Sequence, residues 1–263
     1  MSFSIITINL NNSKGLLNTL SSINTQKFTD YEHIIIDGFS TDESVIILSS
    51  IKNHNCTWIS EKDSGIYNAM NKGISLASSN RLLFLNSGDL IFDNNKFNKF
   101  FSLNCDYDLV YSNVLKVNKD GFVTESKFPD ILSLDYMICY GLPHQATIIN
   151  KSLFEKIGLY NEKYRIISDW VFFMEALFFH NASYKYIDVT AINFDLNGIS
   201  NQTKYLPKII SEQIDYISTR FPTKLELYKK NSPYVKKYFR IMPRWKKYFL
   251  KFLFMKFNFI YFK

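Results

Sequence analysis

The sequence predicts an α/β fold in which a mostly parallel central sheet is covered by helices on both faces. Short apolar runs rich in β-branched residues alternate with segments whose apolar residues recur at helical spacing. This alternation is typical of βαβ units and of buried parallel strands. The 263 residues are 46% hydrophobic, which is enough to bury one sizeable core and excludes an intrinsically disordered chain.

The alternation of strands and helices is clearest in the first 90 residues. The predicted strands are Ser4–Ile8, His33–Ile36, Thr57–Ile59 and Arg81–Leu85. A first helix should follow Ser13, which we expect to be its N-cap, because Leu16, Leu20 and Ile23 lie at helical spacing. The other helices predicted here run from Ser40 through Ile51 and over Ile66–Leu76.

After Asp89 the pattern becomes less regular. We predict further strands over Leu109–Val114 and Ala146–Ile149, and helices over Ser152–Ile157, Trp170–Phe179 and Gln202–Arg220. Pro222 then interrupts the pattern, and a segment of different composition begins. We therefore place a domain boundary near residue 222, with a main domain over 1–222 and a helical tail over 223–263.

Charge is distributed unevenly between these two parts. Residues 224–263 hold 12 Lys or Arg and one acid, a charge of +11, whereas residues 1–223 hold the other 19 basic and 23 acidic residues, a charge of −4. This asymmetry indicates an anionic partner for the tail.

The tail interleaves its basic residues with 13 aromatic side chains, in a pattern that predicts an amphipathic basic helix on an anionic membrane surface. The alternatives are a basic and aromatic stripe that binds nucleic acid, and a helix that packs on the main domain or on another subunit. We favour the membrane and expect no nucleic-acid partner. The residues at helical spacing are Trp245, Tyr248, Phe249, Phe252 and Met255.

The sequence shows no signal peptide and no window of ~18 uninterrupted apolar residues of the kind that spans a membrane. Its three cysteines are widely spaced and form no CxxC pair, which argues against a disulfide framework or a zinc cluster. We therefore expect a cytoplasmic protein in a reducing compartment.

Polar side chains follow each of the first four predicted strands. In an open α/β sheet, ligands bind outside the carboxyl ends of the strands, so these residues are site candidates. Turn formation and helix capping would also explain each position taken alone. The residues are Asn9, Asn11, Asp37, Glu61, Asp63, Asn86, Ser87 and Asp89.

The sequence lacks both glycine-rich phosphate loops, GxGxxG after the first strand and GxxxxGK[ST]. A phosphate site here would therefore need a cation, and carboxylates suit Mg²⁺ or Mn²⁺. Asp89 is the best candidate ligand, since Gly88 before it lets the backbone approach a ligand closely.

Several blocks of sequence, taken in order, resemble family 2 glycosyltransferases of the GT-A fold, the group that includes enzymes of bacterial polysaccharide, O-antigen and capsule assembly. The resemblance covers roughly residues 3–200. The blocks are Ser4–Asn11, Ile36–Asp42 (IDGFSTD), Glu61–Gly73 (EKDSGIYNAMNKG), Asn86–Asp89 (NSGD), and the acceptor-side set Pro143–Gln145, Gly158 and Ser168–Trp170.

The resemblance implies a Rossmann-like sheet with a nucleotide-binding half over about 1–90 and an acceptor half over about 91–222. It implies that Asp37 hydrogen-bonds the uracil or ribose of a nucleotide-sugar and that Asp89 binds Mn²⁺ or Mg²⁺. Asp169 would be the general base, and its alternative role is the N-cap of a helix. The other implied nucleotide-sugar-binding residues are Asn9, Asn11, Asp63, Asn71, Asn86, Ser87 and His144.

His144 also has an ordinary alternative as a core or loop histidine. We expect partial burial beside an aromatic helix to raise the pKa of Asp169. The chain departs from the family at Asn86 and Gly88, where Asp is frequent, so that only Asp89 remains of the metal motif. Asn9 stands for a more usual Thr, and Met70 for a frequent Arg.

These features predict a metal-dependent, inverting glycosyltransferase of the hexosyltransferase type. It would move a sugar from a UDP-sugar to a glycan or lipid-linked acceptor in bacterial surface polysaccharide synthesis, at the inner face of the cytoplasmic membrane. The alternatives are a sugar nucleotidylyltransferase and a catalytically inactive adaptor that binds a membrane or nucleic acid. The loop over Asp195–Gln202 is either a lid over the donor or an ordinary surface loop.

Overall fold

The computed structural model describes residues 3–101, 106–117, 123–196 and 198–241. Within them nine strands form one sheet. The strands are β1 (Phe3–Asn9), β2 (Tyr31–Asp37), β3 (Cys56–Ser60), β4 (Arg81–Phe84), β5 (Leu90–Ile91), β6 (Leu109–Val117), β7 (Val123–Ser126), β8 (Thr147–Asn150) and β9 (Tyr184–Asp195).

Helices cover both faces of this sheet, and short 3₁₀ turns join several of them. The α-helices are α1 (Ser13–Asn24), α2 (Ser44–Ser49), α3 (Ile66–Leu76), α4 (Asn94–Phe101), α5 (Leu134–Cys139), α6 (Ser152–Ile157), α7 (Ser168–Phe178), α8 (Leu206–Arg220), α9 (Leu225–Asn231) and α10 (Pro233–Ile241).

The strand order is β3-β2-β1-β4-β8-β6-β9-β5. Strand β7 lies outside this order and pairs with the last four residues of β6. Strands β1 to β4 are mutually parallel, as the short apolar runs predicted. Strand β8 runs antiparallel to both β4 and β6, so β6 and its parallel partner β9 point the same way as β1. Six of the nine strands therefore share one direction, which confirms the mostly parallel sheet.

The core lies on both faces of the sheet because successive side chains of each buried strand point to opposite sides. On β1, Ile6 and Ile8 join the cluster under α3 and α7, whereas Phe3 and Ile5 join the cluster under α4. Helix α3 approaches β1 closely at Gly73, where an added Cβ would lie 2.5 Å from Ile6 Cγ2. These contacts hold β1 between α3 on one face of the sheet and α4 on the other.

The predicted helix over Ile66–Leu76 and the one over Ser152–Ile157 match the structure. The expected N-cap at Ser13 is wrong. Asn12 holds that position, and its side chain accepts the backbone N–H of Gly15. Asn12 also donates to Ser87, so the same residue links the start of α1 to the turn after β4.

The chain beyond residue 222 begins with two helices that pack on the main domain. Tyr228 of α9 is fully buried and donates a hydrogen bond to Gln213 of α8 over 2.7 Å. Val235 of α10 is buried as well. The predicted amphipathic stretch from Trp245 to Met255 lies outside the described residues, and the boundary near 222 stays a prediction.

Candidate active site

The candidate site lies where β1, β2 and β4 end. Because the parallel register sets Asn9 opposite Asp37, the last side chains of β1 and β2 are neighbours. The turn after β4 lies beside them, since the Ser87 N–H donates to the Ile8 carbonyl. The structure therefore brings the polar strand ends together at one edge of the sheet, as the sequence predicted.

Asp37 is the centre of a buried polar cluster. Its carboxylate accepts hydrogen bonds from Asn9 Nδ2 at 2.8 Å, from the Ser40 N–H at 2.9 Å and from the Ser60 hydroxyl at 2.6 Å. Burial acts to raise the pKa of Asp37, but these hydrogen bonds outweigh it, and the pKa lies below its usual value. Asp37 is therefore an ionised anchor that holds the loop after β2 against the end of β1.

Two further predicted residues shape this loop. Asn11 has a positive φ of 48°, and its side chain accepts the N–H of Thr41 over 2.8 Å. Asp63 packs against Gly38, where a Cβ would lie 2.6 Å from Asp63 Oδ2. Burial raises the pKa of Asp63, and Asp37 adds to the effect. A side chain at position 38 would therefore displace Asp63 from the edge of the site.

The turn over Asn86–Asp89 is the second part of the site. Gly88 has φ of 108°, a conformation that favours glycine, and a Cβ there would lie 2.5 Å from Asp195 Oδ2. Ser87 is held by Asn12, and the Gly88 N–H donates to the Thr19 hydroxyl. Glycine, rather than the frequent Asp of the family, therefore fits the close approach of Asp195.

Asp89 is buried, and its Oδ1 accepts the N–H of Asp195 over 2.9 Å. Burial raises the pKa of Asp89 to about 7, and the charge of Asp195 contributes. Asn86 in the same turn has a buried Oδ1 with no hydrogen-bond partner. A carboxylate of raised pKa and an orphaned amide oxygen are donors that fit a hard divalent cation.

Protein ligands alone do not complete such a metal site. Within the described ranges, no group of three or more His, Cys, Asp or Glu side chains is arranged to hold a metal ion. Mg²⁺ commonly takes one or two carboxylates from the protein and the rest of its ligands from substrate phosphates and water. The residues present therefore fit a cation that binds together with a diphosphate.

Asp169 forms the third part of the site, with His144 and Tyr67. His144 Nδ1 donates to Asp169 Oδ2 over 2.9 Å, and the Tyr67 hydroxyl donates to Oδ1 over 2.8 Å. On its other side, His144 Nε2 lies 3.2 Å from Asn86 Nδ2. A hydrogen-bonded chain thus runs from the turn after β4 through His144 to Asp169.

The interactions along this chain lower the pKa of Asp169 and raise that of His144. Burial acts to lower the pKa of His144, but the hydrogen bond and charge of Asp169 outweigh it, and the pKa is raised. Asn86 Nδ2 faces His144 Nε2, which leaves the unpartnered Oδ1 of Asn86 available to a cation.

The expectation that burial would raise the pKa of Asp169 is wrong. Burial does act in that direction, but the hydrogen bond and charge of His144, with Tyr67 and the Trp170 N–H, lower the pKa below its usual value. The alternative of an N-cap is wrong as well. Ile167 holds that position, and Asp169 lies in the first turn of α7, where the helix dipole favours a negative charge.

Asn71 is placed differently from the other predicted site residues. Its amide bridges the backbone of Tyr160, donating to the carbonyl at 2.9 Å and accepting the N–H at 3.0 Å. Both polar groups of Asn71 therefore bind the loop before α7 and hold α3 to it. Asn71 therefore has a supporting role, because both of its polar groups are already bound to the Tyr160 backbone.

A cavity of about 170 Å³ opens beside Asp169 and His144. Five aromatic side chains contribute to its walls, and the 3₁₀ turn that carries Ser200 also lines it. Sequence reasoning missed Lys116 and Tyr234 in this lining. Only the alternation along β6 and the basic aromatic composition of the tail hinted at them. The aromatic residues are Phe128, Tyr140, Trp170, Phe194 and Tyr234.

Comparison with known proteins decides the family. The profile of glycosyl transferase family 2 matches residues 4–176, about two thirds of the chain. The chain belongs to glycosyl transferase family 2. This confirms the resemblance on which the sequence analysis rested, and Asp169 lies within the matched part.

Curated relatives of this family 2 glycosyltransferase come from mycobacteria. A PGL/p-HBAD biosynthesis glycosyltransferase of Mycobacterium bovis (strain BCG / Pasteur 1173P2) is 31% identical over 210 residues, which cover 76% of this chain and 79% of the relative. An uncharacterized glycosyltransferase of Mycobacterium tuberculosis (strain ATCC 25618 / H37Rv) is 34% identical over 190 residues, 66% of this chain and 68% of the relative.

Solved structures confirm the GT-A fold of this family 2 glycosyltransferase. S. aureus TarS 1-349 in complex with UDP superposes with a TM-score of 0.61 at 17% identity, covering 88% of this chain and 74% of that chain. The mannosyltransferase PcManGT from Pyrobaculum calidifontis, in complex with GDP-Man and Mn²⁺, gives a TM-score of 0.60 at 10% identity, covering 89% and 72%.

Proposed function

We propose that this family 2 glycosyltransferase transfers a hexose from a UDP-sugar to a glycan or lipid-linked acceptor, with inversion at the anomeric carbon. The observation that carries the proposal is the carboxylate of Asp169, held ionised at a cavity that His144 also lines. The turn that bears Asp89 lies at the other end of the same hydrogen-bonded chain, through Asn86 and His144.

In this proposal Asp169 accepts the proton of the acceptor hydroxyl as that oxygen attacks the anomeric carbon. A positioned carboxylate suffices as the base, and a single displacement inverts the configuration. Its lowered pKa keeps Asp169 ionised at neutral pH. Tyr67 and His144 each bind one of its oxygens, so they orient the carboxylate and leave the remaining lone pairs for the acceptor.

The edge formed by β1 and β2 would bind the nucleotide. The Asp37 cluster fixes the loop after β2, and Asn9, Asn11 and Asp63 border the same edge. Ser87 and Asn86 would face the phosphates from the turn after β4. TarS has been solved with UDP and with UDP-GlcNAc, which supports a UDP-sugar here. The complex of PcManGT with GDP-Man makes a GDP-sugar the donor to test beside it.

Asp89, with the amide oxygen of Asn86, would hold Mn²⁺ or Mg²⁺ together with the donor. When bound, such a cation neutralises charge on the leaving diphosphate. The chain's own contribution is a carboxylate whose pKa of about 7 falls once a cation lies next to it. The complex of PcManGT with Mn²⁺ supports this proposal.

We further propose that the acceptor is part of a bacterial surface polysaccharide or a lipid-linked intermediate, met at the inner face of the cytoplasmic membrane. The mycobacterial relative named for PGL/p-HBAD biosynthesis supports a glycoconjugate acceptor. The strongly basic segment after residue 223 supports an anionic surface as partner. No helix among residues 3–101, 106–117, 123–196 and 198–241 combines the length and apolarity that a membrane span needs.

The Asp169→Asn variant tests the proposal. It keeps the shape and can still accept from Tyr67, but it cannot take a proton, so we expect transfer to fall by about 10²–10⁴-fold, the range that general bases contribute. The measurement is UDP release from a panel of UDP-sugars with Mn²⁺ and a glycan acceptor, beside calorimetric binding of UDP. Asp106→Asn, at an exposed aspartate before β6, is the matched control.

We expect the variant to bind UDP as the unaltered protein does. Loss of UDP binding together with turnover would contradict the role of Asp169 as base and indicate a structural one. No binding of any nucleotide-sugar by the unaltered protein would favour an inactive adaptor instead. Release of diphosphate from a nucleoside triphosphate and a sugar phosphate would favour a nucleotidylyltransferase.

A further inference from the structure

Lys116 has an unusual place in the cavity beside Asp169. It lies on β6 two residues after Val114, and because side chains of a strand alternate between faces, both line the cavity. Val114 is buried and apolar, as a core-facing position of a strand should be. A lysine at the next position on the same face puts an ammonium group where the pattern calls for an apolar side chain.

The surroundings of Lys116 do not neutralise this charge. No described carboxylate lies within ion-pair distance of it, although Lys127 and Lys224 each pair with an aspartate. Burial lowers the pKa of Lys116, and no described carboxylate acts against that effect. Among the described residues that line the cavity, Asp169 is the one carboxylate, and its oxygens already bind Tyr67 and His144.

An unpaired ammonium group that is partly buried in a cavity is costly unless an anion pairs with it. The aromatic side chains in the walls lower the local dielectric constant and would strengthen such a pair. Because Asp169 borders the same cavity, a molecule that fills the cavity and offers its hydroxyl to Asp169 also meets Lys116. A negative group on that molecule would satisfy the lysine while the hydroxyl lies at the base.

We propose that Lys116 binds a phosphate or carboxylate group carried by the acceptor, so that the cavity selects anionic acceptors. This inference rests on the proposed function, because it takes the cavity as the acceptor site. The phosphate would come from a lipid phosphate, and the carboxylate from an acidic sugar. Both are oxyanions that a lysine binds as a point charge.

The test uses small aromatic probes that fit the walls of the cavity, measured by calorimetry on the full chain with UDP present to fill the donor site. Phenyl phosphate represents a lipid phosphate, benzoate represents an acidic sugar, and benzyl alcohol is the neutral control. We expect at least one anionic probe to bind ~10-fold or more tightly than benzyl alcohol. A single charge-assisted hydrogen bond accounts for a difference of this size.

Two variants decide whether Lys116 causes the preference. In Lys116→Met the anionic probe should bind no better than benzyl alcohol, whereas Lys116→Arg should keep the preference. Lys185→Met, at an exposed lysine on the neighbouring strand β9, should behave as the unaltered protein. Thermal unfolding of each variant shows that it is folded, and removal of a buried charge should not lower the melting temperature.

The outcomes separate this inference from the proposed function. Equal affinities for anionic and neutral probes in the unaltered protein, or an unchanged preference in Lys116→Met, would overturn it. Weaker UDP binding by Lys116→Met would also overturn it, since the lysine would then belong to the donor site. If UDP itself does not bind to the unaltered protein, the proposed function fails, and the probe measurements without UDP still show what Lys116 binds.

Discussion

His144 links the two halves of the candidate site. Its ring lies between Asp169 and Asn86, and the charges of Asp169 and Asp89 both raise its pKa. It is therefore a positioning residue that holds the proposed base ionised and correctly turned. Sequence reasoning left His144 open between a ligand contact and an ordinary histidine, because neither neighbour lies near it in sequence.

The His144→Ala variant should move the acid side of the pH–rate profile. The hydrogen bond and charge of His144 lower the pKa of Asp169, so their removal lets that pKa rise. Activity should then be lost at a higher pH on acidification than in the unaltered protein. We also expect kcat to fall by about 10–100-fold, because the carboxylate is less well oriented.

The measurement for His144→Ala is kcat/KM for sugar transfer between pH 4 and 8. His180→Ala is the control, since His180 is an exposed histidine after α7. An acid limb that stays in place while kcat falls would contradict the electrostatic role and leave His144 as a steric support alone.

At the same scale, the sequence predicted which residues lie close together but not the hydrogen bonds between them. Strand ends of a parallel sheet converge, so Asn9, Asp37 and Asp89 could be placed together from the order of elements. The direction of the Asp169 pKa depends first on His144, 25 positions away along the chain, and then on Tyr67, 102 positions away, so it could not be read locally. Lys116 escaped notice because a single lysine in a strand is ordinarily a solvent-facing residue.

At the scale of elements, β2 carries a buried histidine that makes the sheet sensitive to acid. His33 lies inside the fold, and its Nε2 is 2.9 Å from the Thr7 hydroxyl. That hydroxyl donates its own proton to the Leu85 carbonyl, so it accepts from His33. Burial lowers the pKa of His33 from 6.5 to about 4, and the ring is neutral in the folded protein.

As the pH falls from 6.5 toward 4, the free energy of unfolding should decrease, because the folded protein keeps His33 neutral. In that window the unfolded chain binds a proton that the folded one excludes, and the difference amounts to about 3 kcal/mol. The raised pKa of Asp89 acts in the opposite sense throughout this window, and the raised pKa of His144 acts above pH 6.5. The prediction is therefore made for the difference between the unaltered protein and His33→Gln.

The measurement is urea unfolding of both proteins at pH 4.5 and pH 7.5. His33→Gln should lose less free energy of unfolding on acidification than the unaltered protein does. His54→Gln, at an exposed histidine before β3, should lose as much as the unaltered protein. An equal loss in His33→Gln would contradict a neutral, buried His33.

Elements with a strong local pattern were predicted well, and others were missed for physical reasons. Helix α3 carries apolar residues at helical spacing over its whole length. Strand β9 has 12 residues, but two bulges against β6 interrupt its alternation, and most of its first half is only partly buried. Strand β5 has two residues and exists only because it pairs with β9. No local signal marks a strand that tertiary contacts create.

At the scale of the whole molecule, the segment after residue 222 consists of two parts with different roles. Its first part, through α10, belongs to the packed structure. Tyr228 and Val235 are buried, and a buried side chain of this size contributes roughly 1.5–3 kcal/mol. Tyr234 lines the cavity beside Asp169, so the same part borders the site. The alternative that the tail packs on the main domain therefore fits residues 225–241.

Residues 242–263 hold six Lys or Arg and no acidic residue, which is half of the basic residues of the tail. If each contributes about 1 kcal/mol near an anionic leaflet, this stretch alone suffices for reversible attachment. A chain ending at residue 241 should therefore stay in the supernatant when vesicles with anionic lipid are sedimented, whereas the full chain should sediment with them. Neither chain should sediment with vesicles of zwitterionic lipid alone.

A second cut shows that attachment and folding are separable. A chain ending at residue 222 lacks the buried Tyr228 and Val235, so its melting temperature should be lower than that of the full chain. The chain ending at 241 should have the same melting temperature as the full chain and bind UDP equally well. Equal sedimentation of the full chain and the chain ending at 241 would contradict a membrane role for 242–263. If the full chain instead binds single-stranded nucleic acid and does not sediment with the vesicles, the positively charged tail binds nucleic acid rather than a membrane.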